Sequence, residues 1–267
     1  MSDQSVAALR YEHGELHERQ DSLTVERPLQ IRINGKPYSV TMRTPGDDTY
    51  LVMGLLFTEG VVNLADAHEG VLKEVCDGEG DTVAAVDITI PDVYLCDDVF
   101  EKRSLLASSS CGMCGQREFD ESGLDDPPLK PGAPLQLGRI ASMMKAMRAA
   151  QTTFTVTGST HAAAVFDADY ELMCTFEDIG RHNAVDKAVG FLLERDLLQR
   201  ARVLTVSGRV SFEIINKAYR AGLPYVLAVS APSSFAVDIA ARWGMTVLGF
   251  CREERATIYS NRDNTQV

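Results

Sequence analysis

Residues 202–250 read RVLTVSGRVSFEIINKAYRAGLPYVLAVSAPSSFAVDIAARWGMTVLGF and carry the clearest fold signal in the chain. The segments RVLTVS, PYVLAVS and MTVLGF have the composition of buried strands, whereas SFEIINKAYRAG and SFAVDIAARWG have that of helices. Strands and helices therefore alternate along this stretch. Repeated β-α-β alternation predicts a parallel or mostly parallel sheet that is covered by helices.

The flanking sequence extends this pattern to residues 135–267. LGRIASMMKAMRAAQ (137–151) and NAVDKAVGFLLERD (183–196) predict helices, while HAAAVF (161–166) and ELMCTF (171–176) predict a strand pair around a turn. ATIYS predicts a last strand. We therefore expect residues 135–267 to form an α/β domain.

The first part of the chain has a different rhythm. Residues 1–20 are polar and predict a flexible tail, and alternation of strand type begins at Leu23. Asn34-Gly35 predicts a hairpin turn, and DDTYLVMGLLFTEGVV predicts an amphipathic helix with Asp47 or Asp48 as N-cap and Gly60 as its stop. AVDITI (85–90) predicts a further strand. The expected organisation is thus a β-rich α+β domain over residues 21–118.

Residues 119–134 predict a linker, because they hold four prolines and two glycines. The predicted fold class is therefore mixed: an α+β first domain, which ends in a CGMCG loop, and an α/β second domain.

Composition limits the classes of function. The net charge of −12 argues against a general nucleic-acid binder. No apolar run reaches the roughly 18 to 20 residues of a membrane helix, and the polar N-terminus does not resemble a secretory signal. We therefore expect a cytoplasmic protein without membrane contact, in which the six cysteines are reduced thiols.

The charge is distributed unevenly. Residues 1–130 carry a net charge of −14, whereas residues 131–267 carry +2 and hold 12 arginines among their 15 basic residues. Arginine suits forked contacts with phosphate, so the second half favours an anionic ligand. The alternative is that these arginines lie on solvated helix faces.

Four predicted strands of the second half end in polar loops: EDIGRHN, SGRVS, SAPSS and CREER. The first three should emerge at one edge of the sheet, where helix N-termini already favour anions. Neither GxxxxGK[ST] nor GxGxxG is present, which argues against an ordinary nucleotide triphosphatase or Rossmann dehydrogenase. The serines and Asn183 have a second interpretation as helix caps. The candidate residues are Arg181, His182, Asn183, Ser207, Arg209, Ser211, Ser230, Ser233, Ser234, Arg252 and Arg255.

SSSCGMCGQ (108–116) places Cys111 and Cys114 in a C-x-x-C motif among serines and glycines. A structural zinc site needs a second ligand pair, and the other four cysteines are isolated from one another. A thioredoxin-type pair would lie in a βαβ unit. A zinc deaminase would carry H-x-E and a proline before the first cysteine, and the chain has neither. Sulfur relay, in which a thiolate carries a persulfide, is the chemistry that this motif favours.

Several motifs in order, from Thr24 to Ser260, resemble the FdhD family of formate dehydrogenase accessory sulfurtransferases. They are SSSCGMCG, THAAAVF, EDIGRHNAVDKAVG, SGRVSFEIINKAYRAG, VSAPSSFAVDIA and GFCREERATIYS. The resemblance implies a sulfur carrier that accepts sulfur from a cysteine desulfurase of the IscS type. It further implies delivery to the molybdenum cofactor, bis(molybdopterin guanine dinucleotide), before that cofactor enters formate dehydrogenase.

The resemblance also implies roles for individual residues. Cys111 would bear the persulfide and Cys114 would be its partner. The segment that binds the guanine dinucleotide, or a guanine nucleotide such as GDP, would be Phe250, Cys251, Arg252, Glu253, Glu254 and Arg255. Asp178, His182, Asp186 and Lys187 are further candidates for the cofactor pocket, with His182 equally a candidate helix cap.

For the fold, the resemblance implies a second domain similar to cytidine deaminase without its zinc site, and a homodimer. No bound metal is expected. Two alternatives stay open: a chaperone that binds the molybdenum cofactor without transferring sulfur, and a structural protein stapled by zinc.

Overall fold

A computed structural model describes residues 2–62, 72–76, 84–95 and 125–267. Over these ranges the chain is a mixed α/β protein with a six-stranded sheet, a four-stranded sheet and two pairs of strands. No helix in the described ranges is both long and apolar enough to cross a membrane.

Residues 3–24 form a hairpin, so the prediction of a flexible tail over residues 1–20 is wrong. Strand β1 (Asp3–Glu12) pairs antiparallel with β2 (Glu15–Thr24). His13 and Gly14 between them have φ of 51° and 92°, as a two-residue turn with left-handed central residues requires. Most side chains on both faces are exposed. The hydrophobic alternation that marks a half-buried strand is therefore weak, which is why the sequence pattern missed it.

The predicted hairpin at Asn34-Gly35 is confirmed. It joins β3 (Arg27–Ile33) to β4 (Lys36–Arg43), and both turn residues have positive φ. The Asn34 side chain accepts a hydrogen bond from the Ile90 amide at 2.7 Å and donates one to the Ile90 carbonyl at 2.9 Å. This amide therefore fastens the turn to the end of a neighbouring strand.

Helix α1 (Asp48–Thr58) follows, and then β5 (Leu72–Cys76) and β6 (Ala84–Thr89) complete the order β4-β3-β6-β5. Asp47 occupies the N-cap position, but its side chain makes no capping bond. Asp48 instead accepts two hydrogen bonds from the Arg43 guanidinium, at 2.9 and 2.6 Å. The helix start is thus bound to strand β4.

Helix α1 is buried on most of its surface, so the prediction of an amphipathic helix is wrong. Leu51, Val52, Leu55 and Leu56 are all buried. A helix that is apolar all round is covered on more than one side. The second covering element comes from the distant part of the chain.

The remaining elements lie in the second part of the chain. They are β7 (Leu135–Gln136), α2 (Ile140–Ala150), α3 (Thr152–Thr157), β8 (His161–Asp167), β9 (Leu172–Asp178), α4 (Arg181–Glu194), β10 (Ala201–Val206), α5 (Phe212–Arg220), β11 (Tyr225–Ala228), α6 (Ser234–Arg242), β12 (Thr246–Arg252), β13 (Arg255–Ile258) and β14 (Thr265–Gln266).

The six-stranded sheet has the order β13-β12-β11-β10-β8-β9. Strands β10, β11 and β12 are parallel, whereas β8 is antiparallel to β9 and β10, and β13 is antiparallel to β12. Antiparallel pairings are therefore the majority, and the prediction of a mostly parallel sheet is wrong. Two of the three antiparallel pairings are the hairpins β8–β9 and β12–β13, whose short turns force that arrangement, and the third joins β8 to β10.

Four strands nevertheless end at one edge of this sheet. Since β8 runs opposite to both β9 and β10, those two strands run in the same direction as each other. Strands β11 and β12 share that direction. The prediction that the loops after β9, β10 and β11 meet at one edge is thus confirmed, and β12 ends there as well.

The two parts of the chain share a hydrophobic core. One cluster of buried residues includes Leu29 of β3, Leu51 of α1, Val185 of α4 and Leu204 of β10. The tightest contact within it is between α1 and α4. A Cβ at Gly54 would overlap the Asp186 carbonyl, and a Cβ at Gly190 would overlap the Tyr50 carbonyl. Helices that approach this closely need glycine at both positions.

The described end of the predicted linker is bound to the second part of the chain. The Leu129 amide donates to the Trp243 carbonyl at 2.8 Å, and the Tyr219 hydroxyl donates to the Pro127 carbonyl at 2.7 Å. Residues 119–124 lie outside the described ranges. The division of the chain into domains at 119–134 stays a prediction.

Replacing Gly54 with alanine should lower the free energy of unfolding by about 3 kcal/mol, because the new methyl group must push the two helix backbones apart. The measurement is urea unfolding followed by circular dichroism. Gly138→Ala is the control, since a Cβ there meets open space. An unfolding midpoint for Gly54→Ala equal to that of the control would contradict the close helix crossing.

Candidate functional site

The candidate site is the edge of the six-stranded sheet at which β9, β10, β11 and β12 end. Helices α4, α5 and α6 begin directly after three of these strands. Strand β8 starts at the same edge, because His161 pairs with Asp178. The edge therefore combines three helix N-termini with the side chains of four loops, an arrangement that favours anions.

The Asp178 side chain fixes the loop after β9 through hydrogen bonds and an ion pair. It is fully buried, and one carboxylate oxygen accepts hydrogen bonds from the Gly180 amide at 2.8 Å and the Asn183 side chain at 2.9 Å. The other oxygen accepts from the Thr44 amide at 3.1 Å and lies 2.9 Å from the Lys187 ammonium. These contacts assign Asp178, Asn183 and Lys187 to positioning the loop.

A second buried network surrounds Asp186 of helix α4. The Lys217 ammonium is 2.8 Å from both carboxylate oxygens of Asp186, one of which also accepts from the Thr58 hydroxyl at 2.8 Å. Burial raises the pKa of Asp186 to about 6, although Lys217 opposes that shift. The prediction that Asp178, Asp186 and Lys187 line a pocket is therefore wrong, because all three are enclosed and paired beneath the edge.

Arg181, Gly208 and His161 meet where the first two loops approach each other. A Cβ at Gly208 would lie 3.2 Å from His161 Nδ1 and 3.4 Å from Arg181 Cδ. Glycine therefore leaves the space in which the imidazole and the arginine side chain lie. Nε of Arg181 is buried and has no hydrogen-bond partner.

His161 is neutral in this setting. Burial lowers the pKa of His161, and the charges of Arg181 and Arg209 lower it further, against the opposing effect of Asp178. Its Nδ1 lies 3.4 Å from the hydroxyl of Ser207, which accepts a hydrogen bond from the Ala162 amide at 2.9 Å. At neutral pH the imidazole consequently adds no charge to the two arginines.

His182 lies in the first turn of α4, and its ring contacts Ser211 at the N-cap position of α5. It is 2% exposed, and its Nε2 is 3.4 Å from the Ser211 hydroxyl. Burial raises the pKa of nearby Glu213, but hydrogen bonds from Ser211 and its own backbone, with the charges of His182 and Arg181, outweigh burial and lower it. Glu213 is thus an ionised carboxylate beside the arginine.

The serines of the loops differ in their contacts. The Ser233 hydroxyl accepts a hydrogen bond from the Ala236 amide at 3.2 Å, as expected of a helix cap. Ser207 bonds the start of β8, as described above. Ser234 is exposed and Ser230 is partly buried, and the Ser230 carbonyl accepts from the Phe250 amide at 3.2 Å. The cap interpretation therefore holds for Ser233.

Phe250 lies at a distortion in β12. Its φ of 54° is left-handed, the ring is 45% exposed, and the register with β13 shifts between Gly249 and Arg252. A Cβ at Gly249 would come within 3.0 Å of both Pro232 and Tyr259. The close packing of Gly249 turns the chain so that the Phe250 ring faces solvent at the edge.

The rest of the 250–255 segment divides between core and solvent. Cys251 is 1% exposed, and burial raises the pKa of its thiol to about 11. Arg252 and Arg255 are paired across the β12–β13 hairpin, and both are exposed, as are Glu253 and Glu254 at its tip. A ligand at this segment can therefore reach both arginines and Phe250, but not the Cys251 thiol.

Cys111 and Cys114 lie outside the described residues. Among the described side chains, the free cysteines are Cys174 and Cys251, and both are buried. Burial raises the pKa of Cys174 to about 12. Neither thiol forms a thiolate near neutral pH.

Sequence reasoning missed His161, Gly208 and Glu213 as parts of the edge. His161 opens the predicted strand HAAAVF, and its position follows only from the antiparallel place of β8 between β9 and β10. A histidine at the first residue of an otherwise apolar strand is the signal that could have indicated an edge position.

The chain is similar to known proteins in family, sequence and fold. A family model described as the FdhD/NarQ family matches residues 24–266. A protein named Sulfur carrier protein FdhD from Streptomyces avermitilis is 44% identical over 264 residues, which cover 94% of this chain and 92% of that protein. A protein of the same name from Mycobacterium tuberculosis is 43% identical over 259 residues, 92% of each chain.

The fold also matches a solved structure. A protein from Desulfotalea psychrophila, described as a formate dehydrogenase accessory protein, superposes with a TM-score of 0.77 over 100% of both chains at 20% identity. This likeness supports the mixed α/β fold described above.

Cys174 and Cys251 should resist alkylation in the folded protein at about pH 8, because only about one Cys251 thiol in a thousand is ionised there. Native protein and protein in concentrated urea would be treated with iodoacetamide and mapped by peptide mass. We expect labelling of both to be at least about 100-fold slower in the native sample. Equal labelling rates would contradict the buried positions.

Proposed function

The chain belongs to the FdhD/NarQ family, and on that premise we propose that it is a sulfur carrier that serves formate dehydrogenase. The observation that carries the proposal is the 44% identity, over 94% of this chain, to a protein named as a sulfur carrier. The name of the matching fold, a formate dehydrogenase accessory protein, agrees with the proposed recipient.

The proposed sulfur-bearing residue is Cys111, with Cys114 as its partner. Its thiolate attacks the terminal sulfur of a persulfide on a cysteine desulfurase of the IscS type. The sulfur–sulfur bond of the donor breaks, the donor cysteine leaves as a thiolate, and Cys111 becomes a persulfide. The exchange is balanced, so it needs no added oxidant or reductant. The high pKa values of Cys174 and Cys251 support assigning this chemistry to the C-x-x-C motif.

The proposed acceptor is the molybdenum cofactor as bis(molybdopterin guanine dinucleotide), a substrate of the carrier. Its phosphates suit an edge with arginines and three helix N-termini. The exposed Phe250 ring, together with Arg252 and Arg255, supports the assignment of 250–255 to the guanine nucleotide. GDP should bind the same segment.

Two further parts of the proposal rest on the family resemblance: a homodimer and a second domain similar to cytidine deaminase. A third part, the cytoplasmic location, rests on the composition of the chain. The competing function is a chaperone that binds the molybdenum cofactor without moving sulfur. The described edge fits either a sulfur carrier or a cofactor chaperone. Whether the Cys111 thiol takes up sulfur therefore distinguishes the two functions.

Incubation with an active cysteine desulfurase and cysteine should add about 32 Da per sulfur atom to the reduced protein, and the gain should map to the peptide of Cys111. Cys111→Ala should lose the gain and fail to activate formate dehydrogenase, while it still binds GDP. Cys174→Ala is the matched control, because Cys174 is a buried free cysteine outside the 250–255 segment, and it should load normally. Absence of added sulfur on the unmodified protein would overturn the carrier proposal in favour of the chaperone.

A further inference from the structure

The cradle formed by His161, Arg181 and Gly208 lies apart from the 250–255 segment. It is built at the start of β8 and the ends of β9 and β10, whereas Phe250 lies on β12. The motif THAAAVF contains His161, but the family resemblance implies no role for this residue, and the four polar loops do not include it. The cradle is therefore a second candidate contact for the ligand.

Arg181 in the cradle has an unpaired donor that suits a contact in which two guanidinium nitrogens bind one anion. Nε of Arg181 is buried and makes no hydrogen bond, although the residue as a whole is only partly buried. A buried donor without an acceptor is destabilising. Nε–H and one terminal nitrogen of a guanidinium together match two oxygens of one phosphoryl group. An anion at this position would satisfy the unpaired donor.

A second arginine strengthens the positive potential. Arg209 is exposed in the loop after β10, and it lies close enough to lower the pKa of His161. Gly208, between Ser207 and Arg209, has no side chain, and this leaves room for the side chains of His161 and Arg181. The N-terminus of α4, a helix of 14 residues, begins at Arg181 and adds its dipole.

The carboxylates near the cradle leave its charge positive. Asp178 is paired with Lys187 at 2.9 Å and is also bonded to three nitrogen donors. Glu213 is half-buried at the first turn of α5, where Ser211 hydrogen-bonds it. One ionised carboxylate, Glu213, thus stands against the two arginines.

The distance between the two contacts suits an extended ligand. Strand β12 is two places from β10 and three from β8 in the sheet. At a strand spacing of about 4.8 Å, the β10 and β8 ends at the cradle lie roughly 10–14 Å from the β12 end, and the β9 end before Arg181 lies roughly 19 Å from it. A ligand with an aromatic base at one end and phosphates further along could occupy both positions at once.

We propose that His161, Arg181 and Arg209 form a phosphoryl-binding subsite, which takes the diphosphate of the guanine dinucleotide whose base lies at Phe250. The inference rests on the proposed function for the identity of the ligand. Arg181 binds two phosphoryl oxygens through its fork, Arg209 adds charge, and neutral His161 donates a hydrogen bond. All three residues would contact the ligand directly, at strands β8, β9 and β10 of the edge, whereas the 250–255 segment lies at β12 and β13.

The test is isothermal titration of the full chain with GDP, with inorganic pyrophosphate and with guanosine. Arg181→Lys keeps the charge but removes the Nε fork, and we expect it to weaken GDP and pyrophosphate binding at least about tenfold. Arg181→Ala and Arg209→Ala should weaken both further. Guanosine should bind all variants as it binds the unmodified protein.

Arg200→Ala is the matched control, because Arg200 is exposed at the opposite edge beside Asp167. It should bind all three probes normally. Undiminished GDP affinity in Arg181→Lys and Arg209→Ala, with unchanged melting temperatures, would overturn the subsite. Sulfur loading on Cys111 is measured separately, so a failed relay with intact phosphate selectivity would overturn the sulfur-carrier role and leave the subsite standing.

Discussion

Helices α1 and α4 cross with their backbones in contact at Gly54 and Gly190, and the rest of the molecule is arranged around this crossing. It joins the four-stranded sheet to the six-stranded sheet in one hydrophobic core. Buried charges are tolerated beside it only because they are paired and hydrogen-bonded, as in the contact of Asp186 with Lys217 and Thr58. Close packing and this network make the relative position of the two sheets specific.

The crossing also determines the geometry of the candidate site. Helix α4 begins at Arg181, so the packing of α4 on α1 sets where this side chain meets the loop after β10. Thr44, from the first part of the chain, donates its amide to Asp178 and accepts a hydrogen bond from the Ile179 amide through its hydroxyl. The candidate edge therefore depends on residues from both parts of the chain.

Local signals in the sequence predicted the hairpin at Asn34-Gly35, the longer helices and strands of residues 135–267 apart from α3, and the loops at one sheet edge. They did not predict the burial of α1, because the covering face belongs to α4 and depends on glycine at Gly54. With the family resemblance, Asp178 and Lys187 were candidates for the cofactor pocket. Their buried contacts with Thr44 could not be foreseen, because Thr44 is more than 130 residues away in the sequence. His161 was missed for a similar reason, because β8 lies between β9 and β10.

The central claim is that a thiol and a phosphate-binding edge act on one acceptor. The direct measurement preloads the protein with radioactive sulfur, removes the desulfurase and follows transfer of the label to the molybdenum cofactor. We expect a variant with Arg181→Lys and Arg209→Ala to load sulfur normally but to deliver it at least about tenfold more slowly. Delivery by this variant at the rate of the unmodified protein would contradict this claim.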